Sequence, residues 1–159
     1  MKQKKKSKEM SQTHSVVNKV CGFEAPEVLK LYAFVDAYEW SDIRQLKNET
    51  ELFRVHPELM GLKECMDKVS FHKSNAEEMN RLDVNNLQNE IYGSKHGSLL
   101  LSFLYHLRNA IAHACVEKKG EMVQVTTFFR KCPVAFSARG RIELSIIEQF
   151  TNELKMVKL

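Results

Sequence analysis

The sequence lacks the features that mark membrane-spanning and secreted proteins. Its longest apolar stretch, Leu99 to Leu107, is interrupted by Ser102 and His106 and is well short of the roughly 20 residues that span a bilayer. No apolar segment follows the N-terminal lysines, so a signal peptide is not predicted. We therefore expect a soluble protein with no membrane partner.

Cysteines are few and far apart. The four, Cys21, Cys65, Cys115 and Cys132, form no Cys-x-x-Cys pair and show none of the close spacings of disulfide frameworks or zinc sites. Free thiols predict a reducing compartment and a cytoplasmic location. A glycine-rich phosphate-binding loop is also missing, and we predict neither a metal ion nor another cofactor.

The net charge of +4 comes entirely from one end of the chain. Residues 1–9 hold five lysines and one glutamate, which is the whole excess. We interpret residues 1–22 as a basic, disordered N-terminal segment, with an auxiliary contact to polyanions as the alternative. Residues 23–159 are then predicted to form one folded domain.

A second, local excess of positive charge lies in the last third of the sequence. Between Leu104 and Arg141 only Glu117 and Glu121 oppose the basic residues Arg108, Lys118, Lys119, Arg130, Lys131, Arg139 and Arg141. Such an asymmetry is typical of a face that binds nucleic acid. Lys118, Lys119, Arg130, Arg139 and Arg141 are therefore candidate binding residues.

The hydrophobic pattern predicts a mostly α-helical bundle of about five helices. The helices are expected over residues 26–40, 57–69, 74–91, 98–116 and 145–157, with capping boxes at 74–77 and 145–148. Val, Thr and Phe are concentrated in residues 122–129, and a second short run covers 134–137. These two segments predict a small β-hairpin before the last helix.

The helix over residues 98–116 carries the densest group of chemically active side chains. At about 100° per residue, its apolar residues 100, 103, 104, 107 and 111 collect on one side, which we expect to face the core. Ser102, His106, Asn109 and His113 form a narrow polar stripe on the opposite side. Arg108 lies about 140° round the helix from His113, and alanines at 110, 112 and 114 leave space for another helix.

The segment from Leu107 to His113, Leu-Arg-Asn-Ala-Ile-Ala-His, resembles the signature of the HEPN superfamily. In that family an Arg followed by a polar residue precedes a His near the end of a bundle helix. Many members are metal-independent ribonucleases that act as dimers, and others only bind. The resemblance implies that Arg108 and His113 are a catalytic pair and that Asn109 is their polar helper. Ser102 and His106, on the same polar stripe, are candidate binding residues.

The same resemblance implies the partners. RNA would be the substrate, and because several members are toxins or defence proteins, a neutralising antitoxin would be a further partner. Members that pair with a nucleotidyltransferase often carry a Tyr two residues beyond the His. That position is Cys115 here, so this partner class is not predicted.

The chemistry of RNA cleavage agrees with these residue types. Attack by the 2′-hydroxyl needs a base, an acid and positive charge, and it leaves a 2′,3′-cyclic phosphate. Histidine titrates near neutrality and can serve as acid or base, whereas the arginine fork matches phosphate oxygens. Since one helix holds Arg108 and His113 apart, we predict a homodimer whose interface runs along this helix and completes the site.

Three other interpretations stay open at this stage. A metal site could use His106, His113, Cys115 and Cys132, although no pair has a standard ligand spacing. Cys115 could act as a nucleophile beside His113, although it is predicted near the buried flank of the helix. A non-catalytic domain could bind RNA, a nucleotide or a protein through the same residues, and the sequence does not separate this function from catalysis.

Overall fold

The computed structural model describes residues 19–95 and 97–158, which form a mixed α/β domain. The helices are α1 (Ala25–Ser41), α2 (Glu49–Val55), α3 (Leu62–Met66), α4 (Ala76–Asn80), α5 (Leu99–Ala112) and α6 (Leu144–Leu154). The strands are β1 (Lys19–Val20), β2 (Phe23–Glu24), β3 (Ser70–Lys73), β4 (Glu90–Gly93), β5 (Val116–Lys119), β6 (Met122–Phe129) and β7 (Cys132–Glu143). No helix in these ranges is long and apolar enough to cross a bilayer.

Five of the strands form one mixed sheet in the order β3-β4-β7-β6-β5. The β3 and β4 strands are parallel, with Phe71 opposite Ile91, and the other neighbours are antiparallel. A separate antiparallel pair joins β1 to β2. The predicted helical bundle with a two-stranded hairpin is therefore wrong, because the sheet is a full layer of the domain.

The segment predicted as a helix over 74–91 shows why the sheet was missed. Asn75 caps the short helix α4 by accepting a hydrogen bond from the Glu78 amide, and that helix ends at Asn80. Ile91 instead lies in β4, and its side chain points inward and is fully buried. A strand of four residues has too few inward positions to show an alternating pattern.

The helix predicted over 98–116 is also shorter than expected. It begins after its cap Ser98 and ends at Ala112, with His113 as the C-cap residue. Ala114 follows with a φ of 55°, a left-handed conformation that commonly ends helices. The chain then turns into β5 at Val116, so Cys115 and Val116 lie outside the helix.

Helix α5 is sandwiched between the sheet and helices α1 and α6. On one side, Phe103 packs against Phe150 of α6, with 5.0 Å between ring centroids. On the other side, His106 stacks on Phe71 of β3 at 5.8 Å. Ser102 and His106 are therefore only 0% and 2% exposed, and the polar stripe expected on an open face is half covered by the sheet.

The N-terminal boundary differs from the predicted one at residue 23. Residues 1–18, which carry the lysine-rich segment, lie outside the described residues. The β1 strand already begins at Lys19, and the Cys21 carbonyl accepts a hydrogen bond from the Lys118 amide at 2.9 Å. Folded structure therefore starts inside the segment that was predicted to be disordered.

Candidate functional site

A cleft of about 640 Å³ opens between the C-terminal end of α5 and the β6–β7 hairpin. We call it the central cleft, and its lining residues are Ser94, Tyr105, His106, Asn109, His113, Cys115, Thr127, Phe128, Phe129, Arg130 and Ser137. Four of the predicted site residues, His106, Asn109, His113 and Arg130, meet here. The fold thus brings residues at the end of α5 next to residues of the β6–β7 hairpin, which come later in the sequence.

His113 is the exposed imidazole of the central cleft. It is the C-cap residue of α5, and its backbone amide donates to the Asn109 carbonyl at 3.1 Å. Its ring nitrogens make no hydrogen bond to any of the described residues, so they are available to a ligand. Histidine side chains commonly serve as general acids or bases in enzymes.

His106 forms an inner wall of the cleft. Its Nε2 atom donates to the Ser94 carbonyl oxygen at 2.5 Å, and its ring also contacts Tyr105 edge-on, with 5.4 Å between centroids. A Cβ atom on Gly93 would lie 3.1 Å from the His106 ring, so the close approach depends on glycine. The sheet therefore fixes the position of His106, whose ring is part of the cleft wall.

Arg108 does not line the central cleft. Its Nε atom is 2.5 Å from Glu39 Oε1 on α1, and its Nη1 atom donates to Asn109 Oδ1 at 3.0 Å. Asn109 does line the cleft, so it connects the guanidinium to the site. Within one copy, the proposed pair of Arg108 and His113 is not side by side.

Two of the predicted binding arginines lie on the outer face of the sheet, which points away from α5. The side chains of Ala138 and Ile142 are buried in the core, so Arg139 and Arg141, at the alternate positions of β7, point outward. Arg139 Nη1 donates to the carbonyl oxygens of residues 79 and 82, and Arg141 Nη2 donates to an Asn85 side chain at 2.9 Å. Both arginines fasten the segment after β3 onto the sheet.

The predicted lysines of β5 are also held by carboxylates. Lys118 Nζ is 2.8 Å from Glu27 Oε1, and this hydrogen bond lowers the pKa of Glu27 and raises the pKa of Lys118. Lys119 pairs with Glu117 at 3.0 Å. Neither lysine lines the central cleft, and Ser102 is buried away from it. The predicted basic face is therefore divided, with Arg130 alone of the five candidates at the cleft.

Three aromatic side chains of the cleft, Tyr105, Phe128 and Phe129, were not predicted as site residues. Phe128 and Phe129 are 45% and 40% exposed, which is unusual for phenylalanine. The sequence signal was the run Phe-Phe-Arg-Lys at 128–131, where aromatic and basic residues adjoin. The hydroxyls of Thr127 and Ser137 are hydrogen-bonded at 2.6 Å on the same wall.

The cysteine and metal interpretations gain no support from the geometry. The Cys115 thiol donates to the backbone carbonyl of His113 at 3.5 Å, and burial raises its pKa. A thiol held in the protonated form is a poor nucleophile. Across residues 19–95 and 97–158, no group of three or more His, Cys, Asp or Glu side chains is placed to hold a metal ion.

The chain matches no protein-family model, no curated protein and no solved structure. The resemblance to the HEPN superfamily therefore rests on the segment from Leu107 to His113 and on its position at the end of a helix. The helical bundle that the resemblance implied is not the fold that forms.

Proposed function

We propose that this protein binds RNA in the central cleft and cleaves it without a metal ion. The observation that carries the proposal is the combination in one cleft of an exposed imidazole, a guanidinium and three aromatic rings. Aromatic rings stack on bases, arginine binds phosphate, and imidazole transfers protons. RNA is a ligand that can use all three. We propose the reducing cytoplasm as the location of the protein.

The proposed reaction uses the 2′-hydroxyl of the RNA as its nucleophile. His113 accepts the hydroxyl proton while that oxygen attacks the adjacent phosphorus. The bond from phosphorus to the 5′ oxygen breaks, the leaving oxygen takes a proton from an acid, and a 2′,3′-cyclic phosphate remains. Arg130, which lines the same cleft, would stabilise the crowded phosphorane through its charge.

A second copy of the chain would supply the missing acid. Most of α5 is buried in its own chain, so a partner cannot pack along it as the sequence suggested. The neighbouring helix α1 instead exposes Leu29 (70%), Tyr32 (46%) and Trp40 (64%) along one stripe, beside the Glu39–Arg108 ion pair. A dyad at this stripe would bring a second Arg108 and a second His113 towards the site.

Binding of RNA without cleavage is the second candidate function, and one observation favours it. His106 is engaged with Ser94, so among the described lining residues one copy offers a single exposed imidazole in the cleft, whereas the reaction needs both a base and an acid. The toxin or defence role implied by the HEPN resemblance is a narrower proposal, and it requires a partner protein that closes the cleft.

Incubation of labelled RNA in excess EDTA tests the proposal. Wild-type protein should cleave it and leave 2′,3′-cyclic ends detectable by mass spectrometry. His113→Ala should lower the rate by roughly 10²- to 10⁴-fold, the usual cost of lost acid–base catalysis. The matched control His72→Ala removes an imidazole from the outer face of the sheet and should keep the wild-type rate.

Three results would count against cleavage at this site. Activity that appears only with added magnesium or manganese would contradict the metal-independent mechanism. Equal rates for wild type and folded His113→Ala would remove His113 from the chemistry. RNA that binds in the cleft but stays intact would contradict cleavage and support the binding function.

A further inference from the structure

A second opening of about 570 Å³ adjoins the central cleft at the edge of the sheet. We call it the basic groove, and Lys73, Asn75, Glu78 and Lys95 are among its lining residues. Ser94 and Phe129 line both openings, so the groove and the cleft meet along these two side chains.

The topology explains why two lysines lie together here. Strands β3 and β4 are parallel, and Lys73 pairs with Gly93 at their carboxyl ends. Lys73 is the last residue of β3, and Lys95 follows β4 by two residues. Parallel strands end at one edge of a sheet, so residues that are far apart in sequence converge beside the β6–β7 hairpin.

The cations at this edge differ from the other basic residues of the predicted face. Lys73, Lys95 and Arg130 are exposed, and none of them takes part in an ion pair with a described residue. Lys118 and Lys119 are neutralised by carboxylates, and Arg139 and Arg141 are held by backbone and amide groups. Among the described residues that line the two openings, Glu78 is the single acidic side chain, so these residues carry a positive excess.

We propose that the basic groove and the central cleft form one track for single-stranded RNA. The strand crosses Phe129, and its phosphates lie towards Lys73 and Lys95. Single strands are favoured because a ring such as Phe129 stacks only on a base that has left its helical stack, while lysines attract any phosphate backbone. This inference rests on the proposed function and names its substrate class.

Binding of a labelled single-stranded RNA of about ten nucleotides, measured by fluorescence anisotropy, tests the track. The double variant Lys73→Gln/Lys95→Gln should raise Kd about tenfold. It should also reduce the slope of log K against log salt by about 1.4, or 0.7 for each lost phosphate contact. The matched control Lys155→Gln/Lys158→Gln makes the same charge change at an exposed, distant site and should bind like wild type.

A minimal substrate separates this inference from the proposed function. A dinucleotide reaches only the central cleft, so Lys73→Gln/Lys95→Gln should slow cleavage of the longer strand much more than cleavage of the dinucleotide. If wild type cleaves RNA but the groove variant binds the longer strand as the control does, the track is overturned and the cleavage proposal stands. If no RNA is cleaved but long strands still depend on the two lysines, the track stands and cleavage fails.

A duplex of the same length and the variant Phe129→Ala test the preference for single strands. The duplex should bind about tenfold more weakly than the single strand, since its bases stay stacked. Phe129→Ala should weaken single-strand binding about fivefold or more, whereas Val134→Ala, at an exposed position on the same hairpin, should not. Duplex binding as tight as single-strand binding, with the same dependence on the two lysines, would overturn the assignment.

Discussion

Arg108 lies between a carboxylate and a carboxamide. Glu39 pairs with its Nε atom, and Asn109 accepts a hydrogen bond from its Nη1 atom. Such a guanidinium is fixed in direction, and the Glu39 charge partly cancels its own. A catalytic role therefore requires that Arg108 act through Asn109 or on the site of a second copy.

Two substitutions at this ion pair separate catalysis from packing. If Arg108 stabilises the transition state, Arg108→Ala should reduce the cleavage rate by about 10²- to 10³-fold. Glu39→Gln should keep the rate, because it leaves the arginine charge in place. Single-turnover cleavage of labelled RNA measures both, with circular dichroism to confirm folding. Equal losses in the two variants would show that the ion pair only holds α1 against α5.

Some site residues could be predicted from sequence because they belong to one helix. Asn109 and His113 are four positions apart, and helical geometry alone puts them on one side. The role of Arg139 could not be predicted, because its partners at residues 79 and 82 are about 60 positions away in sequence. Charge in a sequence shows that a cation exists, but its partner is set by the tertiary fold.

At the scale of elements, helix α1 has two different faces. Leu31, Phe34 and Tyr38 are buried against the core, while Leu29 and Trp40 are among the most exposed apolar side chains of the described residues. Exposed apolar groups on one side of a helix indicate a candidate interaction surface. We expect this stripe to bury itself against the same stripe of a second copy.

The expected dimer can be broken without altering the cleft. Trp40→Glu should convert the protein to a monomer, as measured by light scattering, because it places a charge in an apolar contact. The control Met156→Glu makes the same type of change at a distant exposed position and should stay dimeric. A wild-type monomer at concentrations where RNA is cleaved would show that the site needs no second copy.

Elements with long or distinctive patterns were predictable, and short ones were not. The prediction for residues 122–129 coincides with strand β6, because eight residues rich in Val, Thr and Phe show their pattern clearly. Strands β3 and β4 have four residues each. Met79, Leu82 and Leu87 precede β4 at spacings that predicted one long helix. In the structure that helix ends at Asn80, and the chain forms β4 from Glu90 onwards.

At the scale of the whole molecule, the site lies where the end of α5, the β6–β7 hairpin and the ends of two parallel strands meet. Lys73, Ser94, His113 and Phe129 come from four separate segments of the chain. Sequence periodicity reports on one segment at a time, so it could not show that these residues converge. We expect RNA to occupy this place.

Ultraviolet crosslinking of single-stranded RNA to the wild-type protein tests directly whether RNA occupies the central cleft. The crosslinked peptides, identified by mass spectrometry, should map to Tyr105, Phe128 or Phe129, because these rings line the cleft and are placed to stack on bases. A competing unlabelled strand should remove them. Crosslinks confined to Tyr92 on the outer face of the sheet, or to residues 1–18, would contradict binding of RNA in the central cleft.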